Sequence, residues 1–209
     1  MAQGPVGLRE RKKQRTRQAL SDTAIALFLA RGYDGVSVAE VADAAEVSKP
    51  TLFRYFPAKE DLVLHRFADH EDELARVVAA RPAGVSPLDA LHRHVLDGLR
   101  RRDPVTGVSD DPQVLAFLAL LYGTPALVAR LHAYQTRSEA ALAAALGGGL
   151  AAALAAGQIV AVLRVLAEEN ARRIAAGVSA ALVQSAAEDA TRLAFDQLRQ
   201  GFAEGDPDA

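Results

Sequence analysis

Ser37–Leu62, SVAEVADAAEVSKPTLFRYFPAKEDL, reads as two short helices joined by a tight turn and followed by the start of a third. Ser37 and Glu40 make an S-x-x-E capping box, in which hydroxyl and carboxylate satisfy backbone N–H groups at a helix start, so a helix is predicted from Val38. Val38, Val41, Ala42 and Ala45 recur at helical spacing and give it one buried face. Past the turn, Ser48 caps a second helix, and Pro50 fits its first turn because an N–H there has no intrahelical partner. Leu52 and Phe56, four residues apart, point inward. Pro50, Thr51, Phe53 and Arg54 then face out, flanked by Lys49 and Tyr55, a mixture of short, aromatic and cationic side chains suited to base edges and phosphates of a major groove.

The run KPTLFRY followed by F-P-x-K-E-D-L resembles the helix-turn-helix of the TetR family of bacterial one-component regulators, over roughly Arg9 to Phe67. The resemblance implies a DNA-binding domain of the first helices and, behind it, a helical domain that binds a small molecule and dimerises. It also implies that Lys49, Pro50, Thr51, Phe53, Arg54 and Tyr55 lie on the recognition helix, with Ser48 at its start. Lys59 resembles the family's phosphate-contacting lysine, and Ser37 the polar residue that touches phosphate. Two positions depart from the pattern. Glu46 stands where the turn usually has glycine, and positive φ there carries strain of about 1 kcal/mol. Phe53 stands where tyrosine is usual, so one hydroxyl is missing.

The chain has 209 residues, 50% of them apolar, enough for one or two small domains with a sizeable core. Cysteine is absent, which excludes disulfides and thiolate metal sites and suits a reducing cytoplasm. No apolar run approaches the ~20 residues of a membrane span, and the charged amino terminus lacks the hydrophobic stretch of a signal peptide, so a cytoplasmic protein off the membrane is expected. Net charge is −2, but residues 1–60 hold ten Lys and Arg against seven Asp and Glu. Arg9, Arg11, Lys12, Lys13, Arg15 and Arg17 form the sharpest cluster, either a solvated helix face or, beside a helix-turn-helix, a cationic arm for phosphates. Arg15 and Arg17 join the expected DNA contacts.

Helical patterns continue to the end without a convincing strand. The expected fold is all-α with about nine helices: 9–31, 38–45, 49–56, 57–81, 86–102, 111–122, 125–146, 150–176 and 181–203. The expected organisation is a disordered arm at 1–8, a helix-turn-helix domain at 9–68, an effector-binding and dimerisation domain at 69–203, and a disordered tail at 204–209. By resemblance the last two helices pair with a second copy. Ile159, Val162, Leu163 and Leu166 with Ala187, Ala190, Ala194 and Leu198 supply apolar faces for this, or else for ordinary intrachain core.

No zinc-protease, paired-cysteine, nucleophile-elbow or phosphate-loop pattern occurs, and His92 and His94 diverge by about 200° around a helix, poor for shared ligation. No enzyme activity, metal or cofactor is expected. Phe67, His70, His94, Phe117, Tyr122, His132, Tyr134 and Asn170 interrupt apolar helices and are the candidates for a small organic effector's cavity; each also fits core filling or surface. The reading is a homodimeric repressor that binds a palindromic double-stranded operator and is released by that effector. The alternative is a helical ligand-binding or enzymatic module with a degenerate head, supported only by Glu46 and Phe53.

Overall fold

The computed structural model describes residues 7–203; the expected arm, except for residues 7 and 8, and the expected tail lie outside the described residues. Those residues form ten α-helices and two 3-10 segments: α1 (Leu8–Arg31), α2 (Val38–Ala44), α3 (Lys49–Tyr55), α4 (Lys59–Leu64), a 3-10 segment (His65–His70), α5 (Glu73–Ala79), α6 (Pro87–Arg100), a 3-10 turn (Pro104–Thr106), α7 (Pro112–Gly123), α8 (Pro125–Ala145), α9 (Gly149–Ala175) and α10 (Ala180–Ala203). Among the described residues there is no strand.

The expected count of nine is corrected at one place. The predicted helix 57–81 is three pieces, α4, the 3-10 segment and α5. Glu71, Asp72 and Glu73 would sit mid-helix in a continuous element; carboxylates are instead favourable at a helix start, where backbone N–H groups are unpaired. Arg137 grips Glu71 through two hydrogen bonds of 2.9 and 3.0 Å just before α5 begins.

The chain divides into two compact units. One holds the described residues up to Ala68 together with Ala116–His132. Leu20, Ala24 and Phe28 of α1, Val41 and Ala42 of α2, Leu52 of α3 and Leu62 and Val63 of α4 are buried in it. The buried Ser21 hydroxyl donates to the Leu62 carbonyl at 2.6 Å, so even the polar position inside this core is satisfied.

The second unit holds Asp69–Leu115 and the described residues from Ala133 onward. One core cluster gathers Leu91, Leu142, Ile159, Phe195 and Leu198, and another Leu99, Val108, Ile174, Val183 and Ala187. Gly107 shows how closely its parts meet. Its φ is +75°, and a Cβ there would lie 2.1 Å from the Ala167 carbonyl oxygen of α9, so only glycine fits.

The expected pairing faces of the last two helices are corrected in detail. Ile159, Ala187 and Leu198 belong to the intrachain core. The outward apolar side chains are Leu150, Leu154 and Val165 on α9 and Leu182 and Leu193 on α10, between 55 and 77% exposed. Residues 150, 154 and 165, with Gly157 and Ala161 between, share one stripe at helical spacing. By length and composition α9 is also a helix able to cross a membrane, with 22% of its most apolar stretch buried, where the sequence was expected to hold no such segment.

Candidate nucleic-acid interface

The capping box forms as predicted. Glu40 N–H donates to the Ser37 hydroxyl at 3.2 Å, and Ser37 N–H donates to the Glu40 carboxylate at 2.8 Å. That backbone hydrogen bond, reinforced by Arg31 at 2.7 Å, lowers the Glu40 carboxyl to about 2. Ser37, expected to touch phosphate, is thus engaged in starting α2.

The turn after α2 closes with two hydrogen bonds, Val47 N–H to the Ala42 carbonyl at 2.9 Å and Glu46 N–H to the Asp43 carbonyl at 3.1 Å. This pair defines a helix end whose following residue is left-handed. Glu46 is that residue, with φ of 54°. The same pair of bonds ends α6 with Arg102 (φ 52°), whereas α8 and α9 end on Gly147 and Gly177. A second non-glycine turn at Arg102 had no signal in the sequence.

Helix α3, the expected recognition helix, starts on Ser48, whose hydroxyl accepts from Thr51 N–H at 3.3 Å and donates to the Thr51 hydroxyl at 2.9 Å. Leu52 and Phe56 are buried. Ser48, Lys49, Pro50, Phe53 and Arg54 are exposed, and Thr51 and Tyr55 half-buried. The Lys49 ammonium stands 5.9 Å from the Phe53 ring centre, and the Arg54 guanidinium 5.7 Å from that of Tyr55. Two cations therefore flank two aromatic faces on the outward surface of a helix anchored by its opposite side.

The two arginines expected to help from α1 differ. Arg15 is exposed and rims, with Lys12, a cleft of about 300 Å³ whose apolar lining includes Leu20, Ala45 and Val47. Arg17 is half-buried, and its Nη2 donates to the Tyr55 carbonyl at 3.4 Å, so it satisfies the end of α3. Lys59 is also engaged internally. Its ammonium donates to the Tyr33 carbonyl at 2.6 Å and lies 3.9 Å from the Tyr33 ring centre. The Tyr33 hydroxyl donates to Glu60 at 2.7 Å, and burial, with that hydrogen bond, raises its phenol above the ordinary range. Sequence reading missed Tyr33; an isolated tyrosine after a helix-ending glycine carries no motif.

The eight effector candidates divide between the units. Phe67, Phe117, Tyr122 and His132 belong to the first, where the rings of Phe67 and Phe117 lie 5.9 Å apart and Tyr122 is 47% exposed. In the second, His70 Nδ1 and His94 Nε2 approach the Glu73 carboxylate at 2.5 and 3.2 Å. Tyr134 is buried, which raises its phenol above the usual range. Asn170 is buried and donates to the Thr106 carbonyl at 2.9 Å, tying α9 to the Pro104–Thr106 turn. Among the described residues no group of three or more His, Cys, Asp or Glu has the arrangement of a metal site.

Comparison with known proteins bears on the same segment. A family described as bacterial regulatory proteins, tetR family, matches residues 20–65. The HTH-type transcriptional regulator TcmR of Streptomyces glaucescens is 40% identical over 139 residues, 65% of this chain and 59% of the relative. The HTH-type transcriptional repressor LfrR of Mycolicibacterium smegmatis is 30% identical over 132 residues, 59% of this chain and 67% of the relative. The chain spans about three-fifths of the first curated relatives it matches, 59% of TcmR and 61% of the putative mycofactocin biosynthesis regulator MftR of Mycobacterium tuberculosis. The crystal structure of NalD, the secondary repressor of the MexAB-OprM multidrug efflux pump in Pseudomonas aeruginosa, shares the fold, with a TM-score of 0.59 over 88% of this chain and 96% of NalD at 18% identity.

Proposed function

Because this chain belongs to the TetR family of bacterial regulatory proteins, we propose that it is a DNA-binding transcriptional regulator, a homodimer that represses from a palindromic operator and is released by a small organic effector. The observation that carries the reading is α3, whose buried Leu52 leaves Lys49, Pro50, Phe53 and Arg54 presented to solvent. Lys49 and Arg54 supply donors for base edges or phosphates. Phe53 supplies apolar contact, and Thr51 and Tyr55 the adjoining polar groups. Arg15, Ser37, Ser48 and Lys59 are assigned to the backbone, and Arg17 to holding α3.

Dimerisation is supported by the exposed stripe of Leu150, Leu154 and Val165, whose burial against a second copy removes apolar surface from water. Two reading heads then match a two-fold operator. The named repressor LfrR supports repression over activation. For the effector we assign His70, His94 and Tyr134 of the second unit; Asn170 acts as a strut. An effector releases DNA only if it binds the DNA-free arrangement more tightly than the DNA-bound one. The proposal places the protein in the cytoplasm and gives it no enzyme activity.

Selection of bound sequences from a random duplex pool tests this directly. An inverted repeat is expected, with affinity falling steeply as salt rises. Failure to retain any duplex at low salt, including the DNA upstream of its own gene, sinks the reading.

A further inference from the structure

The first turn of α4 is held from two sides. Lys59 and Glu60 are tied to Tyr33, as described above. Asp61, next in line, takes its contacts from elsewhere. One carboxylate oxygen, Oδ2, accepts from Ala58 N–H at 3.1 Å and so caps α4. Arg130 of α8, 69 residues away in sequence, closes a fork on the same carboxylate, Nε to Oδ1 at 2.7 Å and Nη2 to Oδ2 at 3.0 Å. Both residues belong to the unit that carries the helix-turn-helix. The side chain of Asp61 is only 20% exposed and that of Arg130 39%.

A lone surface ion pair contributes little to stability. This one has a different geometry. A planar guanidinium on a carboxylate through two parallel hydrogen bonds fixes the carboxylate's plane as well as its position. Here that carboxylate is the cap of the turn that carries Lys59, so its plane sets where the turn starts. In the same unit Phe117, Leu121, Leu127 and Leu131 of α7 and α8 are buried, and Phe117 meets the segment after α4, its ring centre 5.9 Å from that of Phe67 and 5.2 Å from the Arg66 guanidinium.

We propose that Arg130 is a positioning residue for DNA binding, its fork on Asp61 holding the first turn of α4, and with it Lys59, in the geometry that engages the duplex. This rests on the DNA-binding reading above for its functional consequence and on the Arg130–Asp61 geometry for its structural one, and the two are separable by experiment.

Amide hydrogen exchange in the full free chain reads the structural half without DNA. Arg130→Gln is expected to speed exchange at the Ala58 amide while α1 and α3 amides keep their protection; unchanged exchange at Ala58 overturns the proposal. Affinity for the duplex selected by the unaltered chain reads the functional half. Arg130→Gln is expected to weaken it about tenfold, but less than about twofold when Lys59→Ala is already present, because the two act through one turn. Equal losses in both backgrounds overturn the proposal. Should Arg130→Gln fail to fold, Arg130→Lys keeps the charge, loses the fork, and is held to the same two comparisons. If the unaltered chain selects no duplex, the regulator reading fails, while exchange at Ala58 still decides whether the fork holds the turn.

Discussion

Residues 20–65 and the α9–α10 pair are both helical and both rich in apolar side chains, yet they dispose of those side chains differently. In the first, Leu20, Phe28, Val41, Leu52 and Leu62 are buried with almost no exposure, and on α3 Phe53 is the large apolar residue left outside. In the second, Ile159, Phe195 and Leu198 are buried while Leu150, Leu154, Val165, Leu182 and Leu193 stay exposed. The head closes its core within the chain and turns polar, cationic and aromatic groups of α3 outward, the surface assigned above to DNA. The helical pair has a buried inner face and an outer one that keeps large apolar side chains exposed, the face proposed above for a second copy.

The contrast breaks most visibly under the same substitution made on each side. Leu52→Lys places an ammonium in the closed core of the head and is expected to cost about 4 kcal/mol or more, read as loss of its cooperative melting transition. Leu154→Lys, on the open stripe, is expected to leave helical content unchanged and to raise the dimer dissociation constant by about tenfold to a hundredfold, read by sedimentation. A Leu154→Lys chain that associates as tightly as the parent would remove the α9 stripe from the dimer face.

A smaller effect sharpens the comparison at the turns. Glu46 in the head occupies the left-handed position that Gly177 occupies after α9. Glu46→Gly is expected to stabilise the protein by about 1 kcal/mol, a rise in Tm of roughly 2–4 °C for a chain of this size. A fall in Tm would show that the Glu46 side chain contributes more than its backbone costs.

The smallest effect is a pH dependence confined to the second unit. His92 stacks on Phe195 with ring centres 4.7 Å apart, and its Nδ1 lies 3.1 Å from Arg199 Nη2. Its buried Nε2 has no hydrogen-bond partner among the described residues. Burial, and then the charge of Arg199, hold its pKa below the ordinary 6.5, against the weaker opposing pull of Asp196 and Asp89. Between the lowered folded value and 6.5 the unfolded chain binds more protons, so stability rises with pH through that window and is lost as pH falls from 6.5. His92→Phe is expected to flatten that part of a Tm-against-pH curve; a curve that keeps its slope would assign the titration elsewhere.

Much of the head was legible because its signals are local. The Ser37–Glu40 box, the Ser48 cap with Pro50, and the strained Glu46 each depend on residues within about one turn of one another, so spacing alone reveals them. The 3-10 interruption after α4 has no local signal in the sequence, and the ion pair that follows it, Arg137 on Glu71, joins residues 66 apart. Asn170 fits a cavity by sequence because a buried amide looks alike whether it faces a ligand or, as here, the Thr106 carbonyl. The division of labour between Arg15 and Arg17 was equally hidden, since two arginines half a turn apart on one helix differ only in what packs over them.

From the sequence alone follow an all-α chain, a helix-turn-helix at residues 37–56, its outward residues and its unusual turn, because caps, turns and helical period are set by near neighbours along the chain. Tertiary structure decided which face of α9 stays open, which cations are already bonded inside the protein, and that Arg130 holds Asp61. Those depend on contacts between residues far apart in sequence, and no pattern in the intervening residues encodes such a distance.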